Sequence, residues 1–165
     1  MPTIHPDPNR AGGYLLRAAS LRPPPLDHLF AFFSDAFQLE ALTPPWMNFH
    51  VLTPAPIEMC KGLLIDYKLR VRGLPLRWQS EITVWEPGKR FVDEQRRGPY
   101  RYWRHEHLFE PSGEGTRVID LVQYAVPGGR LINWLLVGRD LEKIFAYRQQ
   151  KLAELFPAAS LTTNR

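Results

Sequence analysis

Hydrophobic and polar residues alternate along most of the chain, a pattern that predicts strands. In two segments the hydrophobic residues instead recur every three or four positions, which predicts helices. Residues 14–22 predict a first strand, and the apolar spacing within residues 26–42 predicts two short helices that end at the prolines of residues 43–46. Helical spacing returns after residue 129 and lasts to residue 156, which predicts one long C-terminal helix with a buried stripe.

Six further strands are predicted between the short helices and the long helix, at residues 47–53, 61–73, 76–86, 91–95, 98–111 and 116–127. Short turns join them, which indicates an antiparallel meander. Each strand has one apolar and one charged face, as in a sheet covered on one side only. We therefore predict an α+β fold in which a curved, seven-stranded antiparallel sheet wraps round the long helix. Two short helices follow the first strand, and a space for side chains or a ligand lies beneath the long helix.

The chain has 165 residues, a length that suits one domain. Residues 1–13 hold three prolines and two glycines and are predicted to form a flexible arm. Residues 14–157 are predicted to form the single domain, and residues 158–165 a C-terminal tail.

The segment GPYRYWRHEHLFEP, residues 98–111, places two histidines in a predicted strand. Side chains alternate across a strand, so His105 and His107 share the apolar face with Trp103 and Phe109. Three roles would account for two imidazoles on such a face: metal ligands, catalytic groups, or hydrogen-bonding groups in the wall of a cavity.

Zinc can use the H-x-H geometry, but a third ligand would have to come from a neighbouring strand, where Asp120 and Asp93 are the candidates. Two ligands without a demonstrated third are weak evidence, so we predict no metal site. No cofactor fingerprint, nucleophile motif or phosphate-binding glycine loop is present in the sequence. We therefore predict no cofactor.

A histidine beside an aspartate can act as a general acid or base, which makes His105, His107 and Asp120 candidate catalytic residues. Facing an apolar cavity, such groups could enolise a ketone or remove water from an aldol product. Alternatively, they satisfy one another's hydrogen bonds and orient the polar head of a ligand. The predicted ligand-binding residues on the inward faces are Tyr67, Leu69, Trp78, Ser80, Ile82, Phe91, Gln95, Trp103, Val122, Tyr124, Trp134, Leu141 and Phe145.

Charge and composition limit the kinds of binding partner and the cellular location that the sequence predicts. The formal net charge is +4, but the basic residues of the outward faces are interleaved with glutamates, which favours cross-strand ion pairs and no nucleic-acid partner. The start of the long helix is apolar nearly all round, and exposure of Ile132, Leu136 and Arg139 there predicts a homodimer, with transient membrane contact as the alternative. A single cysteine and an N-terminus without a signal-peptide layout predict a cytoplasmic protein.

Four segments, together with the strands between them, resemble the START-like, or SRPBCC, superfamily with the helix-grip fold, and in particular its bacterial polyketide cyclase/dehydrase-like branch. They are LFAFFSDAFQLEALTPPWMNF (29–49), GPYRYWRHEHLFEP (98–111), GTRVIDLVQYAVPGG (115–129) and GRDLEKIFAYRQQKL (138–152). The resemblance implies a deep, mostly apolar cavity between sheet and helix. Members bind lipids, sterols, plant hormones, quinones or polyketides; some catalyse cyclisation or dehydration, and many only bind or carry.

The interpretation we favour is a non-enzymatic protein that binds or carries a hydrophobic small molecule of lipid, quinone or polyketide-like chemistry. The alternative is a cofactor-independent acid–base enzyme, a lyase or isomerase of the cyclase or dehydratase type, that uses His105, His107 and Asp120.

Overall fold

A computed structural model describes residues 1–113 and 115–157, and within them an antiparallel sheet is the central element. Its eight strands are β1 (Thr3–Pro6), β2 (Tyr14–Arg22), β3 (His50–Val51), β4 (Leu64–Val71), β5 (Leu74–Glu86), β6 (Arg90–Arg97), β7 (Tyr102–Ser112) and β8 (Gly115–Ala125). The helices are α1 (Leu26–Ser34), α2 (Gln38–Leu42), α3 (Gly129–Ile132) and α4 (Gly138–Leu155), with a 3-10 turn at Pro45–Met47 and a π turn at Asn133–Val137. The strand order is β1-β2-β8-β7-β6-β5-β4-β3.

The predicted α+β architecture, with its curved antiparallel sheet and long C-terminal helix, is confirmed. The sheet has one strand more than predicted, because part of residues 1–13 forms β1 and pairs with β2, with Ile4 opposite Leu16. The backbone turns back at Asp7, whose N–H donates to the carbonyl of Gly13 at 2.9 Å. The predicted flexible arm is therefore wrong for residues 3–6, and the predicted tail at residues 158–165 lies outside the described residues.

Two strands depart from simple alternation. The predicted strand at residues 47–53 shrinks to β3, because Asn48 adopts a left-handed backbone conformation with φ of 43° that interrupts the extended chain. In β5 the pairing register shifts between Ile82 and Val84. Beyond this bulge Trp85 packs into the core, 5.3 Å from the ring of Phe30.

The long helix contains one irregular turn. The N–H of Gly138 donates to the carbonyl of Asn133, five residues back, as in a π turn. A Cβ at Gly138 would lie 3.1 Å from that oxygen, so close packing explains the glycine. The extra residue in the turn directs Asn133 inward and leaves Trp134 65% exposed, which corrects the prediction that Trp134 lines the cavity.

The buried stripe of α4 faces the sheet and positions the site. It comprises Leu141, Phe145, Arg148 and Leu152, at the spacing of three to four residues that keeps side chains on one face. One member, Arg148, is charged, and it lies where α4 meets β8. None of the helices within the described residues combines the length and the apolar composition that crossing a membrane requires.

Candidate functional site

A cavity of about 220 Å³ lies between the inner face of the sheet and α4, with α2 and the 3-10 turn on a third side. Its wall is mostly apolar and rich in aromatic rings. The structure places these sequence-predicted residues in the wall: Tyr67, Leu69, Trp78, Ser80, Ile82, Phe91, Trp103, His105, His107, Leu141 and Phe145.

Four of the predicted ligand-binding residues do not line this cavity. Gln95 is held away because its amide bonds the backbone of Tyr100, donating to its carbonyl at 2.8 Å and accepting from its N–H at 3.2 Å. Val122 is fully buried in the core, and the hydroxyl of Tyr124 donates to Asn133 Oδ1 at 3.0 Å. Trp134 points outward, as described for the π turn.

Conversely, Tyr100 lines the cavity, although strict alternation along the predicted strand at residues 98–111 would turn it to the face opposite His105 and His107. It precedes β7 and sits in the connection from β6, where strand periodicity does not apply. The hydroxyls of Tyr67 and Tyr100 have no hydrogen-bond partner among the described residues. Burial raises the pKa of both phenols, so they remain donors at neutral pH.

One end of the cavity is formed by a cluster of five ionisable residues, which we call the charged cluster: Asp93, His105, His107, Asp120 and Arg148. They come from β6, β7, β8 and α4. Antiparallel register brings them together, because His105 lies opposite Asp93 and His107 lies opposite Asp120. Asp93, His105, His107 and Arg148 line the cavity, and Asp120 lies behind them.

Each imidazole contacts both carboxylates. His105 Nε2 lies 2.9 Å from Asp120 Oδ1, and His107 Nε2 lies 2.9 Å from Asp93 Oδ2. The second nitrogens are further away: His105 Nδ1 is 3.7 Å from Asp93, and His107 Nδ1 is 3.3 Å from Asp120 without hydrogen-bond alignment. An ionised carboxylate only accepts, so both Nε2 atoms carry a proton.

The charges of the cluster follow from these contacts. Burial opposes ionisation of Asp120, but Arg148 and the two imidazoles hold its pKa well below the usual value. The pKa of Asp93 is likewise lowered by His107 and His105, against the effect of burial. With both carboxylates ionised and Arg148 cationic, one protonated imidazole makes the cluster neutral.

The contacts favour His107 over His105 as that imidazole. Burial acts to lower the pKa of both histidines, and in His105 it prevails together with the charge of His107. In His107 the two carboxylates outweigh burial and raise the pKa. Of the two rings, His107, which lies between the two carboxylates, is therefore the one favoured to carry the positive charge.

Asp93, His105 and His107 also present the cluster's best donor set for a metal, with ligand atoms within 4.8 Å of one another. The two rings, however, lie 3.8 Å apart between centroids. Tetrahedral zinc bound by one nitrogen of each ring would hold the centroids about 5 Å apart. The rings would have to separate to accept the ion, so their arrangement fits a cluster hydrogen-bonded to the two carboxylates better than a preformed metal site.

Sequence reasoning missed Arg148 as a site residue and considered Asp93 as a metal ligand or a member of a buried hydrogen-bond network, but not as a catalytic or ligand-binding residue. The one signal for Arg148 was its position in the apolar stripe of the long helix, where a buried cation needs a partner. Its Nη2 lies 3.4 Å from Asp120 Oδ1, and its buried Nε has no hydrogen-bond partner among the described residues.

A family model described as polyketide cyclase / dehydrase and lipid transport matches residues 23–144. The chain belongs to this family. The resemblance drawn from the sequence is thereby confirmed, and the family and the apolar cavity together support binding of a hydrophobic small molecule. Among curated proteins, none is similar enough in sequence to register as a relative.

Solved structures similar to the chain share its fold. A protein from Arthrobacter aurescens has a TM-score of 0.69 at 15% identity, over 99% of this chain and 98% of its own. A protein from Chromobacterium violaceum has a TM-score of 0.68 at 16% identity, over 86% and 96%. The protein Ara h 8.0201 has a TM-score of 0.64 at 12% identity, over 87% and 97%. At these identities the likeness shows the fold alone.

Proposed function

We propose that this family member binds or carries a compact hydrophobic molecule, of lipid, quinone or polyketide-like chemistry, whose polar head meets the charged cluster. The observation that carries the proposal is an aromatic-walled cavity that ends on buried ionisable groups. Mostly apolar pockets with a few converging polar groups are the common form of small-molecule sites.

The volume limits the guest. Pockets for drug-sized ligands span roughly 300–1,000 Å³, whereas this cavity holds about 220 Å³. A molecule of one or two fused rings fits such a space, and a long acyl tail would have to leave through the mouth. Rings also suit the wall, where Trp78, Phe91 and Trp103 offer faces and edges for stacking.

The charged cluster defines the head chemistry. Asp93 bonds His107 through Oδ2, and its Oδ1 has no partner among the described residues, so it is open to a ligand hydroxyl. Arg148 and Tyr67 also line the cavity, and their guanidinium and hydroxyl groups are donors for a ligand oxygen. A head that both donates and accepts, such as a phenol, an enol or a hydroxyquinone, matches this set.

The test uses 2-hydroxy-1,4-naphthoquinone as a probe, followed by quenching of tryptophan fluorescence and by calorimetry. Ala36 lines the cavity, so Ala36→Phe fills it, whereas Ala41→Phe adds the same ring to the exposed side of α2. We expect saturable binding that Ala36→Phe weakens at least tenfold and Ala41→Phe leaves unchanged. Equal binding by the two variants, with both folded by circular dichroism, would place the probe elsewhere and reject the site.

A second function, acid–base catalysis, is favoured by one observation: Asp93 lines the cavity beside His107, and only one of its two carboxylate oxygens is bonded by that histidine. In such a reaction the Asp93 carboxylate takes the α-proton of a bound ketone, and the electron pair of that C–H bond moves to the carbonyl, giving an enolate. Arg148 or Tyr67 donates a hydrogen bond to the enolate oxygen.

This second function is tested by deuterium incorporation into 2-tetralone in heavy water, followed by proton NMR. We expect the wild-type protein to accelerate exchange at the α-carbon and Asp93→Asn to lose at least 99% of the acceleration, because a general base typically contributes about 10²–10⁴-fold. Exchange at the buffer rate in the wild type would leave binding alone as the function.

A further inference from the structure

An exposed apolar turn marks the beginning of the long helix. Leu131, Trp134 and Leu135 are 62%, 65% and 41% exposed. They stand at i, i+3 and i+4, so they share one face. The π turn causes this exposure, because it brings Asn133 inward to Tyr124 and carries Trp134 outward. A contiguous exposed patch of this kind indicates a contact surface.

The apolar turn lies at the end of the cavity where we place its mouth, between α4 and the β4–β5 hairpin. The next turns of the same helix contribute Val137, Asp140 and Ile144 to the cavity wall. Arg72, in the turn between β4 and β5, binds Asp140 through two hydrogen bonds of 2.8 and 3.0 Å. That ion pair brings the tip of the β4–β5 hairpin to the same end of the molecule, and there Leu74 is 70% exposed. Two separate elements thus present apolar tips at the mouth.

Exposed cations surround these tips. Arg130 and Arg139 flank the apolar turn, and the guanidinium of Arg139 lies 5.9 Å from the centroid of the Trp134 ring. Arg70 lies beside the hairpin tip, and with Lys68 and Arg77 it lines a shallow surface depression. Within residues 1–113 and 115–157, none of these five cations has a carboxylate within 4 Å.

We infer that this end of the molecule docks on the surface of a membrane that contains anionic phospholipid. Leu74, Leu131, Trp134 and Leu135 enter the headgroup region, and the arginines around them contact lipid phosphates. Tryptophan and leucine beside basic residues are the composition of interfacial membrane-binding surfaces. In a twofold dimer formed through the same face, the basic residues of the two copies would be brought together, which disfavours a second copy as the occupant.

Docking in this orientation goes beyond binding a small molecule, because it turns the cavity mouth toward the bilayer. An apolar guest could then pass between the bilayer and the cavity without crossing water, which would otherwise cost the free energy of exposing its apolar surface. The membrane is thereby defined as the source or the destination of the guest.

The experiment is co-sedimentation of the full chain with vesicles of phosphatidylcholine, with or without about 30% phosphatidylserine. We expect binding at least tenfold tighter to the anionic vesicles and weaker at high salt. The combined variant Leu74→Glu, Trp134→Glu should bind the anionic vesicles at least tenfold more weakly than the wild type. The double variant Arg130→Glu, Arg139→Glu should show a loss of affinity of the same size. The matched control is Leu155→Glu, because Leu155 is also exposed but lies about 30 Å further along the helix.

Three outcomes would overturn the inference: no sedimentation with anionic vesicles, equal binding to both vesicle types, or full binding by the combined variant. A dimer measured by light scattering that Trp134→Glu dissociates would assign the face to a second copy instead. All substituted side chains are exposed, so the variants should fold. Binding of the naphthoquinone probe should be unchanged in them, which separates failure of docking from failure of the cavity function.

Discussion

The imidazole rings of His105 and His107 lie 3.8 Å apart, and their Nε2 atoms bond different carboxylates, that of Asp120 and that of Asp93. Two imidazolium ions at this distance would repel each other, whereas one imidazolium and one imidazole would not. The two histidines are therefore expected to carry one positive charge between them, with His107 favoured to hold it.

The first prediction is a split titration of this pair. We expect His107 to titrate above 6.5 and His105 below it in ring-nitrogen NMR, because the carboxylates raise the pKa of His107 while burial and His107 lower the pKa of His105. In Asp93→Asn the pKa of His107 should fall, since one carboxylate is lost. Two histidines that titrate together near 6.5 would contradict this unequal distribution of charge.

The same shifts set the pH dependence of folding. The stabilising contribution of His107 is complete below pH 6.5, its unfolded value, and is lost as pH rises through its raised folded pKa. The contribution of His105 is complete above 6.5 and is lost as pH falls through its lowered folded pKa. Urea midpoints measured across this range in His105→Asn and in His107→Asn should therefore diverge from the wild type on opposite sides of pH 6.5.

The link between α4 and the sheet gives the next prediction. Arg148 and Asp120 are both buried, and each would be left as an uncompensated charge if the other were neutralised. We expect Asp120→Asn and Arg148→Met each to cost about 3 kcal/mol of unfolding free energy, and the double variant to cost clearly less than the sum. Lys143→Met, an exposed position on the same helix, should stay within about 0.5 kcal/mol. Strict additivity of the two single effects in urea unfolding would show that the pair is not coupled.

Period-two alternation was sufficient to predict the inward face of His105 and His107, because it is a property of the extended backbone. Arg148 appeared only as a polar residue in an apolar stripe, because its partner Asp120 comes 28 positions earlier and meets it only through tertiary packing. The π turn could not be predicted, since one extra residue in a helical turn leaves no mark on composition. For that reason Trp134 was assigned to the cavity, and Asn133, which bonds Tyr124, was overlooked.

The π turn can be tested by substitution of Gly138. Glycine to alanine normally stabilises a helix by about 1 kcal/mol. Here the new Cβ would lie 3.1 Å from the Asn133 carbonyl, which cannot retreat without lengthening the bond it accepts from the Gly138 N–H. We expect Gly138→Ala to destabilise the protein by about 1 kcal/mol. The control is Ala146→Gly, at an exposed position of α4. It should lower the unfolding free energy by about 1 kcal/mol, the ordinary difference in helix propensity between alanine and glycine. A stabilised Gly138→Ala would mean that this turn relaxes to a regular α-helix.

The ion pair between Arg72 and Asp140 gives the last prediction, which concerns exchange of the guest. Arg72 occupies a left-handed position with φ of 51°, next to Gly73 at 82°, so the hairpin turn aims its guanidinium across the mouth at Asp140 on α4. Both side chains are partly exposed, so loss of the pair should cost less than about 1 kcal/mol of stability. Asparagine tolerates the left-handed position, and Arg72→Asn therefore removes the guanidinium while keeping the turn.

If the guest leaves between the β4–β5 hairpin and α4, Arg72→Asn and Asp140→Asn should each speed dissociation of the naphthoquinone probe several-fold in stopped-flow fluorescence. The double variant should be no faster than either single variant, since both remove the same contact. Glu142→Gln removes a nearby exposed carboxylate that does not line the cavity, and it should leave the rate unchanged. Dissociation at the wild-type rate in all of these variants would mean that the guest leaves by another route, and the mouth would then have to be sought away from Arg72.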